Sequence, residues 1–260
     1  MKAMQETLWK AVEVGCGVLM KHFRALDSIE TKGQSINLLT KADLECERAV
    51  LDLIRSRHPS HAVIAEETAS QFGAHKDAEW AWILDPLDGT TNYAHGLPWF
   101  GFSLGLCHNG AMELGVVANP AQNETYFARC GHGATRNGAP IHVSEEADMG
   151  AALCVTGLPY DRHERVDYYL AQWRAVSLRC RDIRRLGAAS IDMCLVAAGV
   201  FGAYWESSLN PWDWAPASLI VQEAGGRVTD FGGSDFQLWQ KDCLATNGRL
   251  HEAMLGLLDV

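Results

Sequence analysis

The sequence predicts a chain of mixed α and β structure, with an α+β first half and an α/β second half. Two observations support this prediction. Two amphipathic helical segments open the chain and are followed by short apolar runs joined at turn-forming residues. In the second half, segments typical of strands alternate with segments typical of helices, which indicates an α/β arrangement. With 260 residues, the chain is long enough to bury a large core in one or two domains.

Two amphipathic helices are predicted before residue 60. Apolar residues recur at helical spacing in the first of them, over about residues 4–25. The polar, glycine-containing segment 27–41 lacks a period and is predicted to be an exposed loop. Thr40 then begins a second helix, which ends near His58, and Asp43 stands where a capping box would place its acidic partner.

Short apolar runs that end in acidic residues predict buried strands. These runs are HAVIAEE (61–67) and EWAWILDP (79–86), and each places carboxylates at a strand end. Because proline cannot continue a central strand, we expect the second run to turn at Pro86. Antiparallel strands are predicted to follow, joined at Asn109-Gly110 and at Asn119-Pro120.

A boundary is predicted in the segment SEEADMG, near residues 144–150. We therefore expect an N-terminal α+β subdomain over residues 1–145 and a C-terminal α/β subdomain over residues 146–260. The predicted strands of the second half lie at about residues 151–156, 180–185, 202–206 and 243–246. Its predicted helices lie at about residues 162–176, 188–199, 213–224 and 248–258.

Charge and composition exclude several classes of protein. The formal net charge is −10, whereas binding to nucleic acid or to an anionic membrane requires clustered lysine and arginine. No apolar run approaches the length of a membrane span, and the first residues lack the apolar core of a signal peptide. The eight cysteines are scattered without a C-x-x-C pair, which is typical of free thiols in a reducing compartment. The predicted location is the cytoplasm.

The stretch ILDPLDGTTNY (83–93) contains two aspartates three positions apart, then a glycine and two threonines. It is compatible with a tight turn, with a metal site, and with the aspartyl nucleophile loop of a phosphotransferase. Asp85, the carbonyl of Leu87 and Asp88 supply the oxygen ligands that Mg²⁺ prefers. The backbone N–H groups and hydroxyls of Gly89-Thr90-Thr91 suit a phosphate.

Spacing argues against the nucleophile loop. Phosphatases of the haloacid-dehalogenase type use D-x-D-G-T, in which one residue separates the two aspartates. Here the residue two positions before Asp88 is Pro86, so the first aspartate of that loop is missing. The turn and the metal site remain as interpretations of the motif.

Three further acidic residues are ambiguous when each is considered alone. Glu66 at a strand end fits a solvated sheet edge, and Asp43 and Asp213 fit helix caps. Together with Asp85 and Asp88 they supply enough carboxylates for two metal ions. Four histidines lack metal-ligand spacing and are interpreted as surface or hydrogen-bonded side chains: His108, His132, His142 and His163.

These segments resemble the Mg²⁺-dependent, Li⁺-sensitive inositol monophosphatase family. WILDPLDGTTNY is similar to its D-P-[IL]-D-G-T-[TS]-N signature, and IAEET is similar to its G-E-E-[ST] segment. Further similarity lies in GHGATRNGAPIHVS, RRLGAASIDMCLVAAG, AYWE and LNPWDWAPASLIVQEAGG. The resemblance runs from the first helix to about residue 247. It implies a layered αβαβα sandwich, usually assembled as a homodimer.

The resemblance also implies a role for each matching residue. The ligands of two or three Mg²⁺ ions would be Glu66, Asp85, the carbonyl of Leu87, Asp88 and Asp213. The attacking water would be oriented and activated by Asp43, Glu66 and Thr90. The phosphate would contact Gly89, Thr90 and Thr91, and the alcohol part of the substrate would contact Gly187, Ala188, Ala189 and Glu206. Lys32 stands at the loop position that approaches the site.

The chain departs from the family pattern at a few positions. Ala65 replaces the usual glycine before the paired glutamates, and Asn37 stands where aspartate is frequent. Pro216 and Ala217 replace a pair of small residues. Because proline is tolerated in the first turn of a helix, we expect that helix to persist. These changes touch no implied ligand, but they leave the exact substrate open.

The implied function is Mg²⁺-dependent hydrolysis of a small phosphate monoester, with inositol 1-phosphate as the leading substrate. Two metal ions would clamp the ester and activate water, and their charge would offset the acidic residues. The alternatives are a histidinol-phosphate or fructose-1,6-bisphosphate phosphatase of the same family, and a family member that binds the transcription machinery. The predicted partners are a small molecule and a second copy of the chain, with no nucleic acid and no membrane.

Overall fold

The structure is a computed structural model that describes residues 1–26, 29–31, 38–68, 78–235 and 237–259. The predictions for Lys32 and Asn37 lie outside these residues. The described α-helices are α1 (Lys2–His22), α2 (Lys41–Arg57), α3 (Thr90–Ala94), α4 (Arg162–Ser177), α5 (Ala189–Ala197), α6 (Pro211–Glu223) and α7 (His251–Leu258). None of them combines the length and the apolar character that crossing a bilayer requires.

The described strands form one hairpin and two larger sheets. The hairpin pairs β1 (Ile29–Thr31) with β2 (Leu38–Thr40). The seven-stranded sheet consists of β3 (Ala62–Ala65), β4 (Trp80–Asp88), β5 (Gly101–His108), β6 (Ala111–Asn119), β7 (Glu124–Arg129), β8 (Ala134–Arg136) and β9 (Ala139–Ile141). The five-stranded sheet consists of β10 (Leu153–Thr156), β11 (Asp182–Arg184), β12 (Ala203–Glu206), β13 (Arg227–Thr229) and β14 (Cys243–Thr246).

The seven-stranded sheet follows chain order from β3 to β9. β3 and β4 are parallel, and each later pair is antiparallel. The predicted turn between β5 and β6 is present, with Asn109 and Gly110 at positive φ values of 48° and 83°. Positive φ at both turn residues matches the twist of a tight hairpin, which explains why an Asn-Gly pair occurs at this turn.

The prediction that the chain turns at Pro86 is wrong, because β4 continues to Asp88. β3 ends at Ala65, opposite Leu84, so no strand pairs with Pro86 on that side. On the other side, the pairing with β5 shifts register between Asp85 and Asp88. No ladder hydrogen bond is therefore needed at the proline, which has no N–H to donate.

The five-stranded sheet has the order β11-β10-β12-β14-β13. β10 is parallel to both β11 and β12, whereas β14 is antiparallel to both β12 and β13. All four predicted helices and all four predicted strands of the second half are present within a few residues of their expected bounds. The prediction missed β13, which has only three residues.

Three apolar clusters of described residues lie between the layers. α1 and α2 pack on one face of the seven-stranded sheet, and α5 and α6 pack on its other face. Successive residues of β4 point to opposite faces, so Trp82 joins the first cluster and Ile83 the second. α5 and α6 also contact the five-stranded sheet, whose outer face carries α4 and α7. The expected αβαβα sandwich is confirmed.

Pro216 does not lie in the first turn of its helix, as the sequence predicted. α6 begins at Pro211, which makes Pro216 its sixth residue, and the helix nevertheless persists. The ring and carbonyl of Pro216 pack against Gly105 and Gly115, which face each other across β5 and β6. Glycine is needed at position 115 because any Cβ there would overlap the Pro216 carbonyl, and a Cβ on Gly105 would lie only 3.1 Å from the Pro216 ring.

We predict that Gly115→Ala destabilises the fold by about 1–3 kcal/mol, because the added methyl group forces α6 away from the sheet. The matched control is Gly17→Ala, since a Cβ on Gly17 in α1 meets no atom within 4 Å. The control is expected to stabilise by about 0.5–1 kcal/mol through its helix propensity. Chemical denaturation measures both effects. Equal stabilities of the two variants would contradict the close packing of α6.

Candidate active site

A cavity of about 600 Å³ brings together residues from both sheets and from the helices between them. Nine of the thirteen site residues named from the sequence line it: Glu66, Asp88, Gly89, Thr91, Gly187, Ala188, Ala189, Glu206 and Asp213. The other four are buried and adjoin these residues: Asp43, Asp85, Leu87 and Thr90. The sequence did not indicate several further lining residues, including Tyr160, Arg162, Arg185, Asp192 and Trp212.

Asp85 is almost fully buried, with 2% of its surface exposed. Burial raises the pKa of its carboxyl well above the ordinary value, and the charges of Glu66, Asp88 and Asp213 raise it further. One oxygen of Asp85 accepts a hydrogen bond from the N–H of Leu87 at 2.9 Å. The charges of the other three carboxylates therefore act unfavourably on an ionised Asp85.

Asp88 is fixed by the beginning of α5. Its carboxylate accepts the N–H of Ala189 at 3.2 Å and the N–H of Ser190 at 2.8 Å. The Ser190 hydroxyl donates a third hydrogen bond at 2.5 Å. Burial raises the pKa of Asp88 to about 6, while the hydrogen bonds from Ser190 and Ala189 act in the opposite direction. The N-terminal end of α5 thus offsets part of the cost of burying this charge.

Thr90 and Asp43 meet as the family resemblance implies. The Thr90 hydroxyl lies 3.2 Å from one oxygen of Asp43 and 3.0 Å from the carbonyl of Leu87. The other Asp43 oxygen accepts the N–H of Thr40 at 2.8 Å and its hydroxyl at 2.6 Å. Asp43 is therefore both the acidic partner of the predicted capping box and the acceptor for Thr90.

Glu66 follows β3 and its position depends on a glutamate that the sequence did not single out. Glu47 on α2 is 3% exposed, and its carboxylate accepts the N–H of Glu67 at 2.8 Å. The N–H of Glu66 itself donates to the carbonyl of Leu84 at 3.3 Å. These two contacts hold the chain after β3 against α2 and β4. Glu47 lies one helical turn after Asp43, and that spacing was the available sequence signal.

The segment from Gly187 to Ala189 lies directly against Gly89. A Cβ added to Gly89 would approach the carbonyls of Gly187 and Trp99 at 3.1 Å. Both Gly89 and Gly187 have positive φ, at 84° and 89°, a region that favours glycine. The side-chain amide of Asn92 joins the two segments by donating to the carbonyls of Trp99 and Leu186, each at 2.8 Å. The residues expected at the phosphate and at the alcohol are therefore neighbours.

Glu206 lies at the end of β12 with little free space around it. Its carboxylate accepts the hydroxyl of Tyr204 at 2.8 Å and packs over Gly157, where a Cβ would overlap it. Burial raises the pKa of Glu206 to about 7, whereas the Tyr204 hydrogen bond and the charge of Arg185 lower it. Asp192 lies nearby with its pKa raised by burial, and it accepts the indole N–H of Trp99 at 3.4 Å.

Asp213 is the third residue of α6 and accepts the N–H of Asn210 at 2.6 Å. Burial raises the pKa of its carboxyl well above the ordinary value, and the charge of Glu66 raises it further. Asp213 therefore caps the beginning of α6, as its sequence context predicted, and also lines the cavity. One of its oxygens serves the helix, while the carboxylate also belongs to the cavity wall.

The donor set suits a hard divalent cation, since it consists of carboxylates and one carbonyl. Their mutual repulsion also favours a cation among them. Across the described ranges, no three His, Cys, Asp or Glu side chains already converge as ligands of a single ion. Asp88 and Asp213 instead accept hydrogen bonds from the beginnings of α5 and α6. Binding of Mg²⁺ would therefore require small rotations of these side chains.

Comparison with known proteins agrees with the resemblance. The chain matches the model of the Inositol monophosphatase family over residues 1–259. It is 40% identical to an inositol-1-monophosphatase of Synechocystis sp. over 229 residues, which cover 88% of this chain and 79% of the relative. It is 35% identical to the Nus factor SuhB of Pseudomonas aeruginosa over 258 residues, which cover 98% of this chain and 95% of the relative.

Solved structures give the same result. An IMPase from Thermotoga maritima superposes with a TM-score of 0.88 at 34% identity, covering 100% of this chain and 97% of that one. The inositol monophosphatase from Anabaena superposes with a TM-score of 0.87 at 34% identity, covering 99% and 95% of the two chains. The chain therefore belongs to the inositol monophosphatase family.

Proposed function

We propose that the chain hydrolyses a small phosphate monoester with the help of Mg²⁺, and that inositol 1-phosphate is a substrate. One observation carries this proposal. Four carboxylates, two from β4 and one each from the end of β3 and the beginning of α6, lie together at one end of a cavity, next to a glycine-threonine turn suited to phosphate. A phosphate monoester needs cations beside such acids, because its own charge is negative.

Mg²⁺ would be held by the carboxylates of Glu66, Asp85, Asp88 and Asp213 and by the carbonyl of Leu87, with two or three ions in the site. When bound, these ions would neutralise the phosphate, lower the pKa of a bound water and stabilise the leaving alkoxide. The Leu87 carbonyl accepts one hydrogen bond from Thr90 and keeps a second lone pair for a cation.

Thr90 is suited to orient the attacking water. Its one hydroxyl proton points to Asp43 or to the Leu87 carbonyl, both of which are acceptors. The Thr90 oxygen therefore keeps its lone pairs available and would accept a hydrogen bond from the attacking water. Glu66 also lines the cavity and, in this proposal, would take a proton from that water. Water attacks phosphorus directly in this scheme, without a phosphorylated side chain.

Glu206 is suited to the alcohol part of the substrate. A carboxylate accepts hydrogen bonds from the hydroxyls of a polyol such as inositol. It would also pair with the amine of histidinol phosphate, so Glu206 by itself does not separate these substrates. The tight contact with Gly157 and Tyr204 fixes the carboxylate in one orientation, which favours a substrate of defined stereochemistry.

A second candidate function is binding to the transcription machinery. It is favoured by the 35% identity to a relative named Nus factor SuhB over 98% of this chain. Because the net charge of the chain is −10, the binding partner in this second function would be a protein and not a nucleic acid. A homodimer and a cytoplasmic location remain predictions from the family resemblance and the cysteine pattern.

The function is tested by a phosphate-release assay with Mg²⁺ on inositol 1-phosphate, histidinol phosphate and fructose 1,6-bisphosphate. We predict release from inositol 1-phosphate and a loss of more than about 100-fold in Asp88→Asn, since even residues behind metal ligands cost about 10–100-fold. Asparagine keeps one acceptor oxygen for Ser190 and removes a repelling charge, but its NH2 group cannot accept the N–H of Ala189. Because these effects oppose each other, the melting temperature of this variant should change little.

Wild-type turnover in Asp88→Asn would show that the metal assignment is wrong. Absence of phosphate release from all three substrates would favour the transcription-machinery role instead. A stable but inactive Asp88→Asn protein, beside an active wild type, is the expected outcome. Circular dichroism establishes that the variant is folded.

We also predict that millimolar Li⁺ inhibits the Mg²⁺-dependent activity. Li⁺ is a small, hard cation, so it would compete for the carboxylate oxygens of Asp88 and Asp213. The measurement is an inhibition curve for LiCl with NaCl at equal ionic strength as the control. Equal rates in the two salts would contradict this assignment of the ligands.

Gly157→Ala tests the role of Glu206. The added methyl group overlaps the Glu206 carboxylate and pushes it from its place beside Tyr204. We predict a KM for inositol 1-phosphate that rises by about 10-fold, the value of one hydrogen bond to a charged group, with a smaller change in kcat. Gly256→Ala in α7 is the control, since a Cβ there meets no atom within 4 Å. An unchanged KM in Gly157→Ala would show that Glu206 takes no part in substrate binding.

A further inference from the structure

A second, small cavity adjoins the active-site cavity. Its volume is about 10 Å³, close to the roughly 10–15 Å³ that one water molecule needs. Five residues line both cavities and form a common wall: Gly157, Leu158, Pro159, Glu206 and Ser207. The small cavity is also lined by Tyr169, Gln172 and Trp173 of α4. It therefore lies where an outer helix meets the chain that carries Glu206.

Two buried polar side chains of the small cavity have no partner in the protein. Gln172 and Ser207 are each 2% exposed. Within the ranges that the structure describes, neither Nε2 of Gln172 nor the hydroxyl of Ser207 has a hydrogen-bonding partner. A buried donor that stays unpaired destabilises a fold, so native proteins pair such groups with protein atoms or with internal water. The cavity thus brings together two groups that one water can bridge.

The other hydroxyls around the small cavity are already paired. The Thr156 hydroxyl donates to the carbonyl of Trp205 at 2.5 Å. The Tyr169 hydroxyl donates to Asp161, which directly precedes α4, at 2.6 Å. Gln172 and Ser207 therefore depend on a water for hydrogen bonds that their neighbours obtain from the protein.

α4 also holds the chain after Glu206 at a second point. Ser208 has a positive φ of 60°, a backbone conformation that residues other than glycine rarely adopt. Its hydroxyl donates to Asp161 at 2.9 Å, beside the hydrogen bond from Tyr169. A sparsely populated conformation persists where the surrounding contacts determine it. Contacts with α4 therefore fix the course of the chain that follows Glu206.

We propose that Gln172 and Ser207 bind one internal water, and that this water fixes the wall that carries Glu206. Gln172 is then a positioning residue for the alcohol part of the substrate, which it does not touch. Its amide N–H donates to the water, the water is hydrogen-bonded to the Ser207 hydroxyl, and Ser207 adjoins Glu206 in the chain. The role of Glu206 rests on the proposed function, whereas the water site does not.

A high-resolution crystal structure of the wild-type protein tests the water site. We expect one ordered water within hydrogen-bonding distance of Gln172 Nε2 and Ser207 Oγ. Gln172→Met keeps a similar length and helix propensity and removes both N–H groups. This variant should lose the water and melt at a lower temperature, because Ser207 is left unpaired. A wild-type structure without the water would overturn the proposal. So would a variant that melts higher, since removing a truly unpaired group stabilises a protein.

A double-mutant cycle tests whether the two side chains share one water. Ser207→Ala removes the second partner, so the double variant with Gln172→Met should be little less stable than either single variant. The matched control combines Gln172→Met with Ser218→Ala. Ser218 is also a buried serine, but its hydroxyl donates to the carbonyl of Ala215 at 2.6 Å. The control effects should add, whereas additive effects of Gln172→Met and Ser207→Ala would reject the shared water.

Kinetics test the positioning of Glu206. In Gln172→Met, the KM for inositol 1-phosphate should rise by about 3–10-fold, the value of one hydrogen bond, with a smaller change in kcat. The KM for phenyl phosphate should stay at the wild-type value, because its alcohol carries no further hydroxyl for Glu206. An equal rise for both substrates, or no rise for either, would overturn the positioning role.

The crystal structures separate this inference from the proposed function. If neither substrate releases phosphate, the proposed function fails. The inference then depends on the position of Glu206 in the wild-type and Gln172→Met structures. A displaced Glu206 carboxylate in the variant supports it, and an unmoved carboxylate rejects it.

Discussion

The repulsion between buried carboxylates at one end of the cavity is the constraint on which the site depends. Asp85 is almost fully buried, and the charges of Glu66, Asp88 and Asp213 all raise its pKa. These groups come from β4, from the end of β3 and from the beginning of α6. A chain folded only for stability would separate them. Their convergence costs folding free energy, and the surrounding structure supplies the hydrogen bonds that reduce this cost.

The N-terminal ends of helices supply those hydrogen bonds. Asp43 lies in the first turn of α2, and Asp213 lies in the first turn of α6. Asp88 accepts N–H groups from the beginning of α5, and α3 begins two residues after Asp88. Each helix beginning carries unpaired N–H groups and a partial positive charge, so each favours a nearby carboxylate. In the layered sandwich, four helices thus begin beside one acidic region.

The sequence was informative wherever one segment carries the whole signal. The capping box at Thr40, the helix-strand alternation of the second half and the motif from Asp85 to Thr91 are local patterns, and the structure contains each of them. The match to the inositol monophosphatase family then allowed Asp43, Glu66 and Asp213 to be combined into one site. No single segment indicates that combination, because each of these residues has an equally good local explanation as a cap or an edge.

The residues that the sequence missed depend on contacts between distant segments. Glu47 fixes the backbone after β3 from a helix twenty residues earlier, and its burial is not visible in the sequence. Pro216 fits its helix only because Gly105 and Gly115 face each other on two other strands. Arg162 and Arg185 reach the same cavity from the beginning of α4 and from the end of β11, the two ends of one helix-strand segment.

The two ends of the cavity differ in how firmly the fold holds them. The acidic end is built on β4, an inner strand of the seven-stranded sheet, and on the two helices between the sheets. The arginine end is built on the beginning of α4 in the outer layer and on β11, an edge strand that pairs only with β10. A substitution at the acidic end disturbs the central layers of the sandwich, whereas Arg162 and Arg185 are bordered by peripheral elements. Substitutions near Arg162 and Arg185 are therefore expected to disturb the packing between the two sheets less than substitutions at the acidic end.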